Sequence, residues 1–393
     1  MEIIPNSGIW SVKGILSLGE NIGIKLDKKD FAVIYSEKLA NSAGMFTKNK
    51  VKGAPVIVDI EKLKLSSGKA QAIVINSGIS NVCTGQKGID DAYEMAKLTA
   101  DELGIKQEHV LVSSTGVIGA YLPMEKITDG IKGIKSRLKK NSSEAAEAIL
   151  TTDLIPKNIA VKFDGITIGA IAKGSGMVNP NMATMLCFIT TDAEIPSEEI
   201  KEYLAESVNK SFNMVTVDND TSTSDSVIIL ANGMAGKPDK EKFQKALDYV
   251  CIELAKKVAR DGEGATKLIE INVKNASTYE QAKKIAKSIA GSNLVKCAMF
   301  GNDPNWGRIM CAAGYADVED KHFHPEKIDI IINSEKIVSD CVSAKFDKPH
   351  FSELLKSENV IVEVDLKLGK ESATAYGCDM SYDYVKINAE YHT

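Results

Sequence analysis

NIAVKFDGITIGAIAKGSGMVNPNMATMLCFIT, residues 158–190, decides how this chain is read. It opens with two runs rich in β-branched residues, NIAVKF and ITIGAIAKG. Asp164-Gly165 joins them, a two-residue connection whose residues tolerate positive φ and therefore predict a tight hairpin. GSGMVNPN follows, a loop by its glycines, asparagines and proline. The chain then returns to an apolar strand from Met185 to Thr190, and the switch from loop to strand falls at Ala183-Thr184.

Outward from this stretch, strand-like and helix-like segments alternate. Upstream, AQAIVIN begins at Ala70 and is predicted to end at the turn signal Ser77-Gly78. Residues 89–103 place Ala92, Met95, Ala96 and Leu98 at helical spacing. HVLVSS (109–114) reads as a buried strand running into a loop, TGVIGAYLP, with a helix starting at Pro123 as its first residue. Downstream, a helix is expected from Pro196 through Val208 and a strand over DSVIILAN (225–232). Residues 238–259 carry Phe243, Leu247, Val250, Leu254 and Val258 on one stripe, the clearest helix in the chain. KLIEINVKN, IDIIINS and NVIVEVDLKLG are further strands. Hairpin signals among mixed helices and strands predict an α+β fold, a layered sandwich of mixed sheets covered by helices, with strand order left open.

The bulk numbers bound the class. A chain of 393 residues, 44% hydrophobic and 26% charged, is a folded globular protein of two domains or one large two-lobed unit. Its 48 basic and 53 acidic residues are intermixed and give a net charge of −5, so no basic field for nucleic acid exists. The seven cysteines are widely spaced and lack a CxxC pair, which argues against a disulfide framework or structural zinc site. His322 and His324 are near neighbours without evident further ligands, so no metal site is expected. MEIIPNSGIW lacks the form of a secretion signal and no apolar run is long enough to cross a bilayer, so a cytoplasmic protein without membrane partners is expected.

A threonine at Thr184 could do chemistry under one condition. Its hydroxyl is a poor nucleophile without an adjacent base. If the Ala183–Thr184 bond broke, the freed α-amine, with a pKa of about 7.7–8.0, would be that base. The hydroxyl could cut the bond itself by attacking the Ala183 carbonyl, and Asn179, Pro180 and Asn181 suit the tight turn this demands. On the residues alone, a structural threonine at the start of a strand remains the other reading.

KGSGMVNPNMATML (173–186) resembles the self-cleavage segment of the bifunctional ornithine acetyltransferase (glutamate N-acetyltransferase) family of arginine biosynthesis. AGMFTKNKVKGAPV, SSTGVIG (113–119), TVDNDTSTSDS (216–226), DGEGATK (261–267), GNDPNWGRI (301–309) and the closing INAEYHT match in the expected order, so the resemblance covers essentially the whole chain. It implies an N-terminal-nucleophile-like fold, cleavage between Ala183 and Thr184, an α chain of 1–183 and a β chain of 184–393, and an α2β2 heterotetramer. Thr184 is implied as nucleophile and Thr115 and Gly116 as oxyanion donors. Thr151, Lys173, Thr184, Glu263, Asn388 and Thr393 are implied as substrate contacts, with Thr152 adjacent to Thr151 as a one-residue alternative.

The implied reaction is ping-pong: N-acetylornithine acetylates Thr184, and glutamate takes the acetyl group, with no cofactor. Some members also use acetyl-CoA, and the sequence does not decide this. Nor does it decide whether Glu263 pairs with an ammonium or moves a proton. Asn219 stands where the family pattern has glycine, a change that asparagine's tolerance of positive φ accommodates. Two rivals keep the scaffold but change the outcome: an N-terminal-nucleophile aminopeptidase or amidase, passing the acyl group to water, and a non-catalytic small-molecule-binding protein.

Overall fold

A computed structural model describes residues 1–179, 185–319 and 323–390. Ala183, Thr184, His322 and Thr393 therefore lie outside the described residues. In chain order the strands of the first half are β1 (Glu2–Ile3), β2 (Ile15–Glu20), β3 (Phe31–Phe46), β4 (Lys69–Ile79), β5 (Val110–Val117), β6 (Lys157–Phe163) and β7 (Ile166–Lys173). β8 (Leu186–Ala193), the short β9 (Val215–Thr216) and β10 (Ser226–Gly236) follow. Among the described residues all but β9 make one mixed sheet of order β1-β6-β7-β8-β10-β3-β4-β5, with β2 also on β3. β11 (Leu268–Ala276), β12 (Asp329–Ile332), β13 (Glu335–Ser339), β14 (Val342–Ser343), β15 (Asn359–Asp365) and β16 (Glu371–Cys378) form the second, ordered β14-β13-β12-β15-β11-β16-β9.

β8 shows why the first sheet holds together. LCFITTDA is buried at all eight positions. Cys187 and Ile189 pack on one face with Phe243, Leu247, Val250 and Leu254 of the helix Lys240–Arg260, while Leu186 and Phe188 pack on the other with Ile9, Ala145 and Ile149. A strand buried on both faces reads as a continuous apolar run, as this one does. The same helix also packs against β11 and β16, so a single apolar cluster runs from the first sheet through the helix into the second. The chain is one two-lobed unit, a layered α+β sandwich as the sequence predicts.

The hairpin at Asp164-Gly165 forms as expected, with both residues at positive φ (45° and 82°) between antiparallel β6 and β7. Three expectations shift. β4 does not stop at Ser77-Gly78 but continues to Ile79 through a register shift beside β5. Thr115, Gly116 and Val117 lie in β5, not in a loop, because they complete its parallel pairing with β4. Pro123 precedes the helix Met124–Ile131 as its N-cap. Asn219 takes φ 67°, the left-handed conformation its residue type permits.

The topology also bears on the implied cut. β8 and β10, downstream of residue 184, lie between β7 and β3, upstream of it. Any two pieces divided at 183/184 would share one hydrogen-bonded sheet and one core.

Candidate active site

The C-terminal ends of β5 and β7, the start of β8 and the loops before β10 and after the long helix meet around one cavity. Thr115, Gly116, Thr151, Thr152, Lys173, Glu263, Tyr384 and Asn388 line it with Ser80 and the Asp218–Ser224 loop. A contiguous recess adds Met185 and Asp225 to Thr115 and Lys173. Of the residues singled out in the sequence, the structure thus brings Thr115, Gly116, Thr151, Lys173, Glu263 and Asn388 together. Met185, immediately after Thr184, is fixed at this cavity: its carbonyl accepts from the Ser226 N–H at 3.0 Å.

Gly116 is required by space. It stands opposite Gly78 with φ 128°, and a Cβ there would sit 2.3 Å from the Gly78 carbonyl carbon. No side-chain-bearing residue fits, so the backbone of β5 runs unshielded along the cavity beside buried Thr115.

Lys173, the last residue of β7, is half-buried and donates to Thr151 Oγ1 at 2.9 Å. Removal from water holds its ammonium below the ordinary lysine range, and Asp153, Asp225 and Glu263 partly restore it. Its setting is therefore cationic but lightly partnered, suited to a substrate carboxylate. Asp153 is fixed in turn. Burial would raise its carboxyl, but Lys157 and Lys173 prevail and hold it down to about 2.

Glu263 follows the helix Lys240–Arg260 and is buried, not the exposed loop acid it could have been. Its N–H donates to the Ser175 carbonyl at 3.0 Å, and its carboxylate accepts from Asn388 Nδ2 at 2.8 Å. Gly176 makes room for it, since a Cβ on that residue would lie 2.4 Å from the Glu263 carboxylate. The C-terminal helix Tyr382–Glu390 brings Asn388 in, docked where Ser381 Oγ donates to the Gly264 carbonyl at 2.6 Å. The tail thus folds back over the site at least as far as Asn388.

Several residues at or beside the cavity were not singled out in the sequence. Asp218 accepts from the Met177 N–H (2.6 Å) and the Val178 N–H (2.8 Å), tying down the segment that leads towards residue 184. Burial raises the Asp218 carboxyl despite these bonds. Tyr384 is pushed up to about 12 by burial and by the carboxylates of Asp218, Glu263 and Asp220, so it stays a neutral phenol. Lys25 lies against Gly78 and donates to the Leu150 carbonyl at 2.9 Å, and burial lowers it to about 8. A charged residue inside a polar loop gives no sequence signal of burial; only the fold makes these side chains neighbours. Among the described residues no group of histidine, cysteine or carboxylate side chains is arranged to hold a metal, and no helix is long and apolar enough to cross a membrane.

Fold and cavity together define an α+β enzyme with a polar cleft at the ends of its central strands. Residues 17–393 match the model of the ArgJ family. The chain is 50% identical, over all of both chains, to the arginine biosynthesis bifunctional protein ArgJ of Caldanaerobacter subterraneus. It is 48% identical to that of Staphylococcus aureus, over all of this chain and 97% of the other. A crystal structure of the Bacillus halodurans arginine biosynthesis bifunctional protein is 44% identical, with a TM-score of 0.51, over 53% of this chain and 100% of that one. The chain belongs to the ArgJ family.

Proposed function

We propose that this chain cuts itself between Ala183 and Thr184 and then moves an acetyl group from N-acetylornithine to glutamate by way of an acetyl-Thr184 ester. The observation that carries the reading is the cavity. Met185, the residue that follows Thr184, lines a recess with Thr115 and Lys173, and these two also line the adjoining cavity with Gly116 and Glu263.

The steps follow from the groups present. The α-amine of Thr184 takes the proton of its own hydroxyl as that oxygen attacks the acetyl carbonyl. Thr115 and the backbone at Gly116 donate to the oxyanion, an interaction worth about 3 kcal/mol of barrier per donor. The amine returns its proton to the departing nitrogen of ornithine. Glutamate then enters and its amine attacks the ester by the same steps in reverse. Lys173 holds the α-carboxylate common to both substrates, and Glu263, oriented by Asn388, faces the side-chain ammonium of ornithine. Thr393 belongs to the same set by family resemblance.

Two facts support cleavage at this bond. The shared sheet would keep two pieces together without a covalent link. Residues 184–393 make up 53% of the chain, the same share that matches the whole of the solved Bacillus halodurans chain. The two chains are then expected to assemble as an α2β2 heterotetramer acting in the cytoplasm. The relatives' description as bifunctional supports acetyl-CoA as a second donor to glutamate. Acetylation of glutamate from acetyl-CoA without acetylornithine tests that point.

Intact mass spectrometry of the purified protein tests the whole reading. Two chains, 1–183 and 184–393, are expected from the parent, and one uncut, inactive chain from Thr184→Ala. An active parent that remains a single unbroken polypeptide removes the base from the mechanism and overturns it.

A further inference from the structure

Behind the cavity wall, and outside its lining, lies a fully buried lysine. Lys157, the first residue of β6, has no exposed side-chain surface. Its ammonium donates to Asp153 Oδ1 and to Asp261 Oδ2, each at 2.6 Å. Asp153 also accepts from the Gly174 N–H at 2.7 Å through Oδ1 and from the Thr151 N–H at 3.1 Å through Oδ2. Asp261 accepts from the Leu154 N–H at 3.1 Å, and its carbonyl accepts from Ser175 Oγ at 2.7 Å. Three chain segments, 151–157, 173–175 and 261–263, therefore meet on the Lys157–Asp153–Asp261 triad, the first and last through the ammonium and the middle one through the two aspartates. Each carries one side chain of the cavity wall: Thr151, Lys173 or Glu263.

Stability alone does not account for this arrangement. A well-packed apolar group in place of a buried ion pair is commonly neutral or stabilising. What buried charges supply and an apolar cluster does not is direction, because nearly every carboxylate oxygen here is committed to a named N–H.

We propose that Lys157 is a positioning residue that sets the relative placement of Thr151, Lys173 and Glu263 and so governs substrate binding in both half-reactions. The inference rests on the functional reading above. It assigns the triad to substrate binding and leaves cleavage to Thr184 with Thr115 and Gly116.

The test compares the parent with Lys157→Met, Asp261→Asn and Asp153→Asn, the last two near-isosteric in case the first does not fold. Self-cleavage, read by intact mass, is expected to proceed in every folded variant. KM for both N-acetylornithine and glutamate is expected to rise roughly tenfold or more, with a smaller fall in kcat, because misplaced binding groups weaken capture of each substrate alike. The pH profile supplies a readout that a scaffold role would not move. Lys173 faces Asp153, Asp225 and Glu263, which favour its charge, and Lys157 and Lys25, which oppose it. Lys157→Met should move the basic limb to higher pH, and Asp153→Asn should move it lower. Folded variants with both KM values within twofold of the parent and an unmoved basic limb overturn the proposal. If the parent itself transfers no acetyl group, the functional reading fails instead. Ornithine binding by calorimetry on the same proteins then decides the inference, since equal affinity in parent and Asp261→Asn refutes it.

Discussion

Two aspartates among the described residues are held down to about 2, and their partner cations sit in opposite surroundings. Asp153 lies in the dry triad with Lys157 and Asp261, all three buried. Asp329, at the start of β12 in the second sheet, accepts from Lys336 at 2.7 Å, from Lys367 at 2.6 Å and from the Asp340 N–H at 2.9 Å. Its lysines reach it from water, with side chains 49% and 35% exposed. For both carboxyls burial works upward and cations overcome it. A depressed pKa therefore does not mark a functional site by itself. What separates the two is where the partner cations stand and what else the carboxylates hold: segments of the cavity wall in one case, a surface turn in the other.

The largest expected contrast is in stability. Lys157→Met takes from the buried carboxylates of Asp153 and Asp261 the cation both bond to, leaving Asp153 only Lys173, a loss of about 3–5 kcal/mol. Lys336→Met leaves Asp329 with Lys367 and water nearby, and should cost at most about 1 kcal/mol. Urea unfolding midpoints of the two variants check this. Equal midpoints would erase the distinction between dry and wet clusters.

Acid sharpens the comparison at an intermediate scale. Asp153 has a folded-state value near 2, below its ordinary 3.8, so its contribution is present above about pH 4 and is lost as pH falls towards 2. The amount is on the order of 2 kcal/mol. Asp329 shifts in the same direction, but its solvent-facing lysines make the gain smaller and sensitive to salt. Unfolding followed between pH 5 and pH 2 at low and high salt should show a salt-resistant loss that disappears in Asp153→Asn. A loss wholly abolished by salt would place Asp153 in the same class as Asp329.

The same contrast explains what the sequence could and could not reveal. The hairpin at Asp164-Gly165 and the helix stripe from Phe243 to Val258 were legible because neighbours along the chain determine them. β3 was not: its sixteen residues pass through exposed Glu37, Lys38 and Leu39 and a register break between Tyr35 and Ala40, which erase the alternating pattern. The strand character of Thr115–Val117 depends on Gly78, which no local pattern announces. At the site, Thr115, Gly116, Lys173, Glu263 and Asn388 were reached through long motif resemblance. Asp261 opens one of those motifs, but nothing along the chain joins it to Lys157, 104 residues away. A lysine's letter does not say whether water surrounds it.

The smallest effect tests the wet cluster from within. Lys367 pairs with Asp329 and with Asp340 at 2.8 Å, yet its backbone sits at φ 52°, a left-handed conformation in which a Cβ is strained. Lys367→Gly removes one exposed ion pair, to Asp340, and one part-buried one, to Asp329, and relieves that strain, so the two changes oppose each other. At low salt the unfolding midpoint should barely move. At high salt the pairs are screened in the parent, little remains to be lost, and the glycine variant should become the more stable protein. Lys157→Met should show no such reversal, because salt does not reach its partners. A salt-induced gain in the buried variant, or none in the surface one, would mean that exposure is not what divides the two clusters.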